Sequence, residues 1–274
     1  MQHSVALGFA LSTAAGACTC LGSAGALCLK LENKLFFAAS MAASAGVMIF
    51  ISLVEILTIK SVGGFADAGC TRAESLRYAI FVFFGGALIC HGFDVVISFV
   101  MRFRPEVSND EIAPSDLKAQ ELLRMGVISA IVVMVHNIPE GIATFVSSLA
   151  DTSTGLSVAL AVALHNIPEG LIIAVPIYFA TGSRLKAFFW TFISGVAEPF
   201  GALLAFFALK GSDMSPMAYA VLFGVVSGIM TYIALSELLP NALQYDPEGK
   251  VWKKSLFGGM AVIAASILLF ESGF

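Results

Sequence analysis

Charge is what this chain has least of. Asp, Glu, Lys and Arg make up 12% of its 274 residues, against 58% hydrophobic, and the mean hydropathy is +0.90. A soluble domain of this length needs far more polar surface, so the composition excludes one and points to a polytopic membrane protein. The net charge of -4 is too small and of the wrong sign to suggest a nucleic-acid partner. Cysteine is sparse and shows no CxxC spacing: Cys18, Cys20, Cys28 and Cys90 lie in apolar runs, where a thiol behaves as a small hydrophobe. Cys70 alone falls in an outer connection, which excludes a disulfide within the outer connections. No Walker-type Gly-Lys-Ser/Thr loop is present, which speaks against direct ATP drive. A basic n-region is also missing ahead of the first apolar run. That run is too long for a signal-peptide core and reads as a retained helix.

What is there is a set of long apolar runs. Eight reach the length a bilayer requires, at about 4–29, 35–59, 76–101, 122–149, 154–180, 185–209, 217–240 and 254–271. The expected fold is all-α, with eight transmembrane helices in a single domain over residues 1–274. An even number of spans puts both termini on one side. Lys30, Lys34, Arg102, Arg104, Lys118, Arg124, Arg184, Lys186, Lys250, Lys253 and Lys254 fall on one face of the membrane, and Lys60, Arg72, Arg77 and Lys210 on the other. The positive-inside rule then places both termini outside. The longest connection, about 102–121, holds Pro105, Asn109, Asp110, Glu111, Pro114 and Asp116, and is expected as a solvated cytoplasmic loop.

Two copies of one hexapeptide interrupt the apolar runs. His136-Asn137-Ile138-Pro139-Glu140-Gly141 recurs 29 residues later as His165-Asn166-Ile167-Pro168-Glu169-Gly170, each copy at mid-span. An ionisable side chain there costs at least ~2.5 kcal/mol, so such a residue is a functional hypothesis by default. On a helix, His136 and Glu140 share a face, as do His165 and Glu169, with Asn137 and Asn166 close by. The prolines remove an amide hydrogen and should free the carbonyls of Val135 and Leu164 and kink both helices. Gly141 and Gly170 let neighbouring backbones come close. Two imidazoles, two carboxylates and two amide oxygens on facing helices suit a divalent transition metal. The blander reading is an old duplication whose polar residues only hydrogen-bond two helices together.

With these residues in view the chain resembles the ZIP (zinc/iron-regulated transporter-like) family, whose fourth and fifth transmembrane helices carry such a motif pair. The surrounding eight-span plan is similar as well. The resemblance implies the same topology as the basic residues, and the His/Asn pattern is closest to broad-range bacterial-type members. Many members carry a histidine-rich stretch in the 102–121 loop; this chain has none there. Helix 6 adds Ser194-Gly195-Val196-Ala197-Glu198-Pro199-Phe200-Gly201, with Glu198 level with the motifs. By resemblance, Glu198 supplies a carboxylate to a second metal. His136 and His165 would then complete one ion's shell, and Asn137, Asn166 and Glu198 the other, with Glu140 and Glu169 bridging.

Internal repeats fit a transporter. Residues 45–57 align without gaps on residues 227–239, including Gly46 with Gly228, Met48 with Met230 and Glu55 with Glu237. Gly16 and Gly22 match Gly195 and Gly201 more weakly. Inverted repeats about 4–101 and 185–271 are thus expected around the central helices 122–149 and 154–180, as in secondary transporters. Glu55, near the outer end of helix 2, reads as an inlet residue and Glu237, near the inner end of helix 7, as an exit residue; the alternative for each is a solvated interfacial carboxylate. Met48 and Met230 read as packing. His91, Asp94, Cys18 and Cys20 are secondary candidates along the path, and His3 reads as solvated.

The function these features predict is transport of divalent transition metal ions toward the cytoplasm. Zn2+ is the first expected substrate, with Fe2+, Mn2+ and Cd2+ sharing its ligand preferences. The metal is cargo and no cofactor is expected. The expected partners are the metal ions and the bilayer, with homodimerisation left open, in the plasma membrane or, as the alternative, an organelle membrane. Two other classes stay open: an intramembrane metal-dependent hydrolase, though the HExxH order of metalloproteases is absent, and a metal-binding sensor.

Overall fold

Hydrocarbon offers the backbone no hydrogen bonds, so a spanning chain must satisfy its own as helices or as a closed barrel. The computed structural model, which describes residues 2–28, 34–102, 114–209 and 214–271, shows helices. They are α1 (Gln2–Cys28), α2 (Lys34–Phe50), α3 (Arg72–Arg102), α4 (Pro114–Ala150), α5 (Thr152–Thr181), α6 (Arg184–Leu209), α7 (Pro216–Ile233) and α8 (Trp252–Glu271). Helix α2 continues without a break through a π-helical segment, Ile51–Ser61, to Val62–Asp67, and α7 through a second π-helical segment, Ala234–Leu238, to Leu239–Tyr245. Among the described residues there is no strand, and eight helices are long and apolar enough to cross a membrane.

Local chemistry sets the ends. Asp151 caps α5, accepting the N–H of Thr154 at 2.8 Å, and Gly182 closes that helix at φ +64°, a left-handed conformation that glycine adopts without strain. Thr71 and Glu74 form a capping box on α3. Ser215 caps α7 ahead of Pro216. Asp246 accepts the N–H groups of Lys250, Val251 and Trp252 at 2.7 to 3.0 Å, which folds the connection between α7 and α8.

Three expectations change. The segment 114–121 belongs to α4 rather than to a loop, and proline suits a first helical position. The rest of that expected loop, 103–113, lies outside the described residues. Helix α2 runs to Asp67 and not to 59, because Lys60, which ends the apolar run, is neutralised by Glu55. Glu55 therefore sits well inside the rod and not near its end. Helices α4, α5 and α6 run unbroken through Pro139, Pro168, Pro176 and Pro199, which a kink at proline allows.

Burial orders the bundle. In the most apolar window of each span, 61% is buried for α5 and for the α7 rod and 56% for the α2 rod, against 17% for α3 and α8. The first three form the centre and the last two its flanks. Phe81, Phe84 and Leu88 of α3 face outward, which suits hydrocarbon contact.

Glycine sets the close crossings, and these recur in pairs. A Cβ on Gly141 would meet the carbonyl oxygen of Glu198, and one on Gly170 that of Thr19. Gly22 likewise abuts Ile167, and Gly201 abuts Ile138. Gly46 of α2 abuts Leu256 of α8 as Gly228 of α7 abuts Phe83 of α3. Gly16 and Gly195 abut each other. Every contact maps onto its counterpart when α1 is exchanged with α6, α2 with α7, α3 with α8 and α4 with α5.

Candidate metal centre

The two motif helices bury what the sequence singled out. His136, Asn137 and Glu140 of α4, His165, Asn166 and Glu169 of α5, and Glu198 of α6 are all at most 4% exposed. Each helix carries its histidine one turn before its glutamate, yet the hydrogen bonds cross between helices. His136 Nε2 lies 3.1 Å from Glu169 Oε1, and His165 Nε2 lies 3.1 Å from Glu140 Oε1. Among the described residues, no group of three or more His, Cys, Asp or Glu side chains is gathered as a ready metal shell. The imidazoles and carboxylates stand instead as two crossed pairs.

The asparagines are anchored by their amide nitrogens. Asn137 Nδ2 donates to the Ser194 carbonyl at 3.0 Å, and Asn166 Nδ2 to the Ala15 carbonyl at 2.9 Å and to Glu198 Oε1. Ser194 in turn donates to the Ala130 carbonyl, and Ser44 of α2 donates to the carbonyl of His165. This anchoring leaves both amide oxygens spare. His136 Nδ1, Asn137 Oδ1, Glu140 Oε2, His165 Nδ1, Asn166 Oδ1, Glu169 Oε2 and Glu198 Oε2 are all buried without a hydrogen-bond partner. Buried polar atoms normally find partners, so a cluster of lone pairs without them marks a place for an electrophile.

The two outlying glutamates differ. Glu237 lies in the π-helical segment of the α7 rod, within electrostatic reach of His136, Asp94 and Glu169. Glu55 lies in the other π-helical segment, pairs with Lys60 at 3.1 Å and is not gathered with the motif residues. Met48 and Met230 are buried in the hydrophobic core, as packing residues. His91 is exposed and hydrogen-bonds the Tyr232 hydroxyl at 3.0 Å, while Asp94 and Cys90 line a cavity of about 130 Å³ that also reaches His136 and Pro139. Cys90 carried no weight in the sequence reading, and an apolar context gives no signal for it. Cys18 and Cys20 are half-buried on α1, with Glu198 a charged neighbour of Cys18. The side chain of His3 lies outside the described residues.

A family model described as ZIP zinc transporter matches residues 106–267. A zinc transporter ZupT of Streptococcus mutans is 40% identical, with 98% of this chain and 100% of that relative covered. A protein of the same name from Oceanobacillus iheyensis is 42% identical over 96% of this chain and 97% of its own length. A third, from Nitratidesulfovibrio vulgaris, is 41% identical over 97% and 98%. The chain belongs to the ZIP zinc transporter family.

Proposed function

We propose that this protein carries zinc, with iron, manganese and cadmium as chemically competent alternatives, across the plasma membrane toward the cytoplasm. One observation carries the reading: seven residues from three helices each leave one buried nitrogen or oxygen without a partner, at the crossing of α4, α5 and α6. Imidazole, carboxylate and amide oxygen together suit a borderline divalent cation. The relatives are named zinc transporters, which puts zinc first. The family consists of transporters, which removes the hydrolase alternative.

The mechanism follows from charge and position. A cation enters from outside past Glu55, loses water on the way, and is held by His136, Glu140, His165 and Glu169. Asn137, Asn166 and Glu198 complete a second, adjoining position, so that three carboxylates offset most of the charge of two ions. Release runs inward past Glu237, whose carboxyl is within electrostatic reach of His136. Both termini lie outside, a reading that the distribution of eleven basic residues against four supports.

The test is zinc uptake into proteoliposomes holding the purified full-length protein, beside a His136→Ala/Glu169→Ala double variant. Saturable uptake that the variant loses supports the reading. Zinc bound without flux at several pH values overturns it in favour of a sensor.

A further inference from the structure

The π-helical segment of α2 does more than carry Glu55. In a π-helix the backbone bonds run from i to i+5, so side chains five apart come to stand together, as Thr58 does when it donates to the Leu53 carbonyl at 2.7 Å. Lys60 stands in that relation to Glu55: its Nζ lies 3.1 Å from Glu55 Oε1. The same ammonium donates to Thr154 Oγ1 at 3.1 Å, in the first turn of α5, the helix that carries His165 and Glu169. Glu55 Oε2 is buried and has no partner. The segment itself is pinned to α7, because Ser61 donates to the Ala220 carbonyl and Ser227 to that of Ser52. Lys60 is therefore a cation on a short tether, spanning α2 and α5 from a fixed base.

The repeat-related segment lacks this device. Glu237 corresponds to Glu55, and the residue corresponding to Lys60 is Ala242, which is buried and carries no charge. One glutamate of the pair is covered by a cation of the chain's own. The other is not.

We propose that Lys60 is a latch at the outer mouth, a built-in counter-ion that holds Glu55 until an incoming divalent cation displaces it, and so a residue that sets apparent affinity and charge selectivity. Displacement by charge favours a divalent ion. A monovalent one brings no more charge than the ammonium it must remove and has no tether to hold it in place. The swing that takes the ammonium off Glu55 also takes it off Thr154, and α2 and α5 lose a tie across the mouth.

The inference rests on the transport reading, and one experiment separates the two. Initial zinc uptake is measured into proteoliposomes of the full-length wild type, Lys60→Gln, Lys60→Arg and Thr154→Val. The latch predicts that Lys60→Gln lowers the apparent KM by about tenfold, the worth of one charge-assisted contact, without lowering kcat. Lys60→Arg keeps the wild-type KM, and Thr154→Val, which removes only the second contact, falls between. A merely structural lysine would instead lower kcat and leave or raise KM. Wild-type uptake with a KM that Lys60→Gln leaves unchanged or raises overturns the latch alone, and wild-type vesicles that take up no zinc overturn the transport reading beneath it. Where Lys60→Gln does not fold, an unchanged KM in Thr154→Val overturns the latch in its place.

Discussion

His136 bonds to Glu169 on the neighbouring helix at 3.1 Å, and not to Glu140, the glutamate one turn away on its own helix. His165 and Glu140 repeat the relation in reverse at the same distance. Each motif is therefore completed by the other copy, and α4 and α5 are held together by the same groups that would bind a cation.

That crossing can be measured as a coupling. In a chelator, thermal stability of His136→Ala, Glu169→Gln and the double variant should show an interaction energy within the ~0.5–3 kcal/mol range of residues in contact. The pair His136→Ala and Glu140→Gln should show clearly less. Equal coupling in both cycles would mean that the pairs do not cross. Zinc affinity of Glu169→Gln, read by calorimetry, should fall about 100-fold, or ~2.7 kcal/mol.

Gly141 brings α4 against α6 at Glu198, where a Cβ would run into backbone that has no room to give. Gly141→Ala should lower stability by about 1–3 kcal/mol, as overpacking does. It should also weaken zinc binding by moving Glu198. Gly85, in the middle of α3, has open space around it. Its alanine variant should be neutral or more stable by up to ~1 kcal/mol. Matching melting temperatures for Gly141→Ala and wild type would show that the α4–α6 crossing is looser than this.

The bundle and the centre differ in how far the sequence reveals them. The spans were legible because twenty or more apolar residues have few other uses, and the motif residues because an ionisable side chain at mid-span is costly enough to need a reason. Helix ends were less so. Lys60 looked like the edge of the membrane, but a partner five residues earlier carries the helix past it. The π-helical turns at Glu55 and Glu237 had no local signature; hydrogen bonds from α7 onto α2 accompany the first, and those are tertiary. The crossed pairing was equally invisible. Spacing says which residues share a face, whereas the partner depends on how α4 and α5 meet, which is tertiary.

Asn166 donates its amide to Glu198 and so holds a carboxylate beside the motif glutamates. Asn166→Asp would turn that donor into an acceptor and set two carboxylates face to face. Stability in a chelator should drop by about 1–3 kcal/mol, the penalty for an unsatisfied buried group. Added zinc should restore more stability to this variant than it adds to the wild type, because a cation can sit between the two carboxylates. A smaller zinc-induced rise in melting temperature in Asn166→Asp would count against a metal position at Glu198.

Protons and metal compete for imidazole lone pairs. Zinc uptake by the wild type should therefore weaken steadily as external pH drops from 7.5 to about 5, with apparent KM rising and the maximal rate changing less. The comparison is made at constant free zinc. A KM that stays flat over that interval would argue that neither His136 nor His165 binds the ion through its ring nitrogen.

Asp246 gives a pH test that lies outside the spans and the metal path. Burial works against its ionisation, but the N–H groups of Val251, Trp252 and Lys250, with the Lys250 ammonium, outweigh it and hold the carboxyl below the ordinary aspartate value. A group whose native pKa is lowered adds stability that is complete above the unfolded value, about 3.9, and is lost as pH falls through the lower native one. Asp246→Asn keeps the size of the side chain and offers one acceptor oxygen where the carboxylate offers two, so it should melt below the wild type at pH 7. The gap should narrow as the pH is taken below about 3.9, where Asp246 of the unfolded chain begins to take up a proton that the native carboxylate still resists. Melting curves of both proteins in detergent from pH 7 down to 3 would show this narrowing; a gap as large at pH 3 as at pH 7 would mean that shape, and not charge, is what Asp246 contributes to the turn.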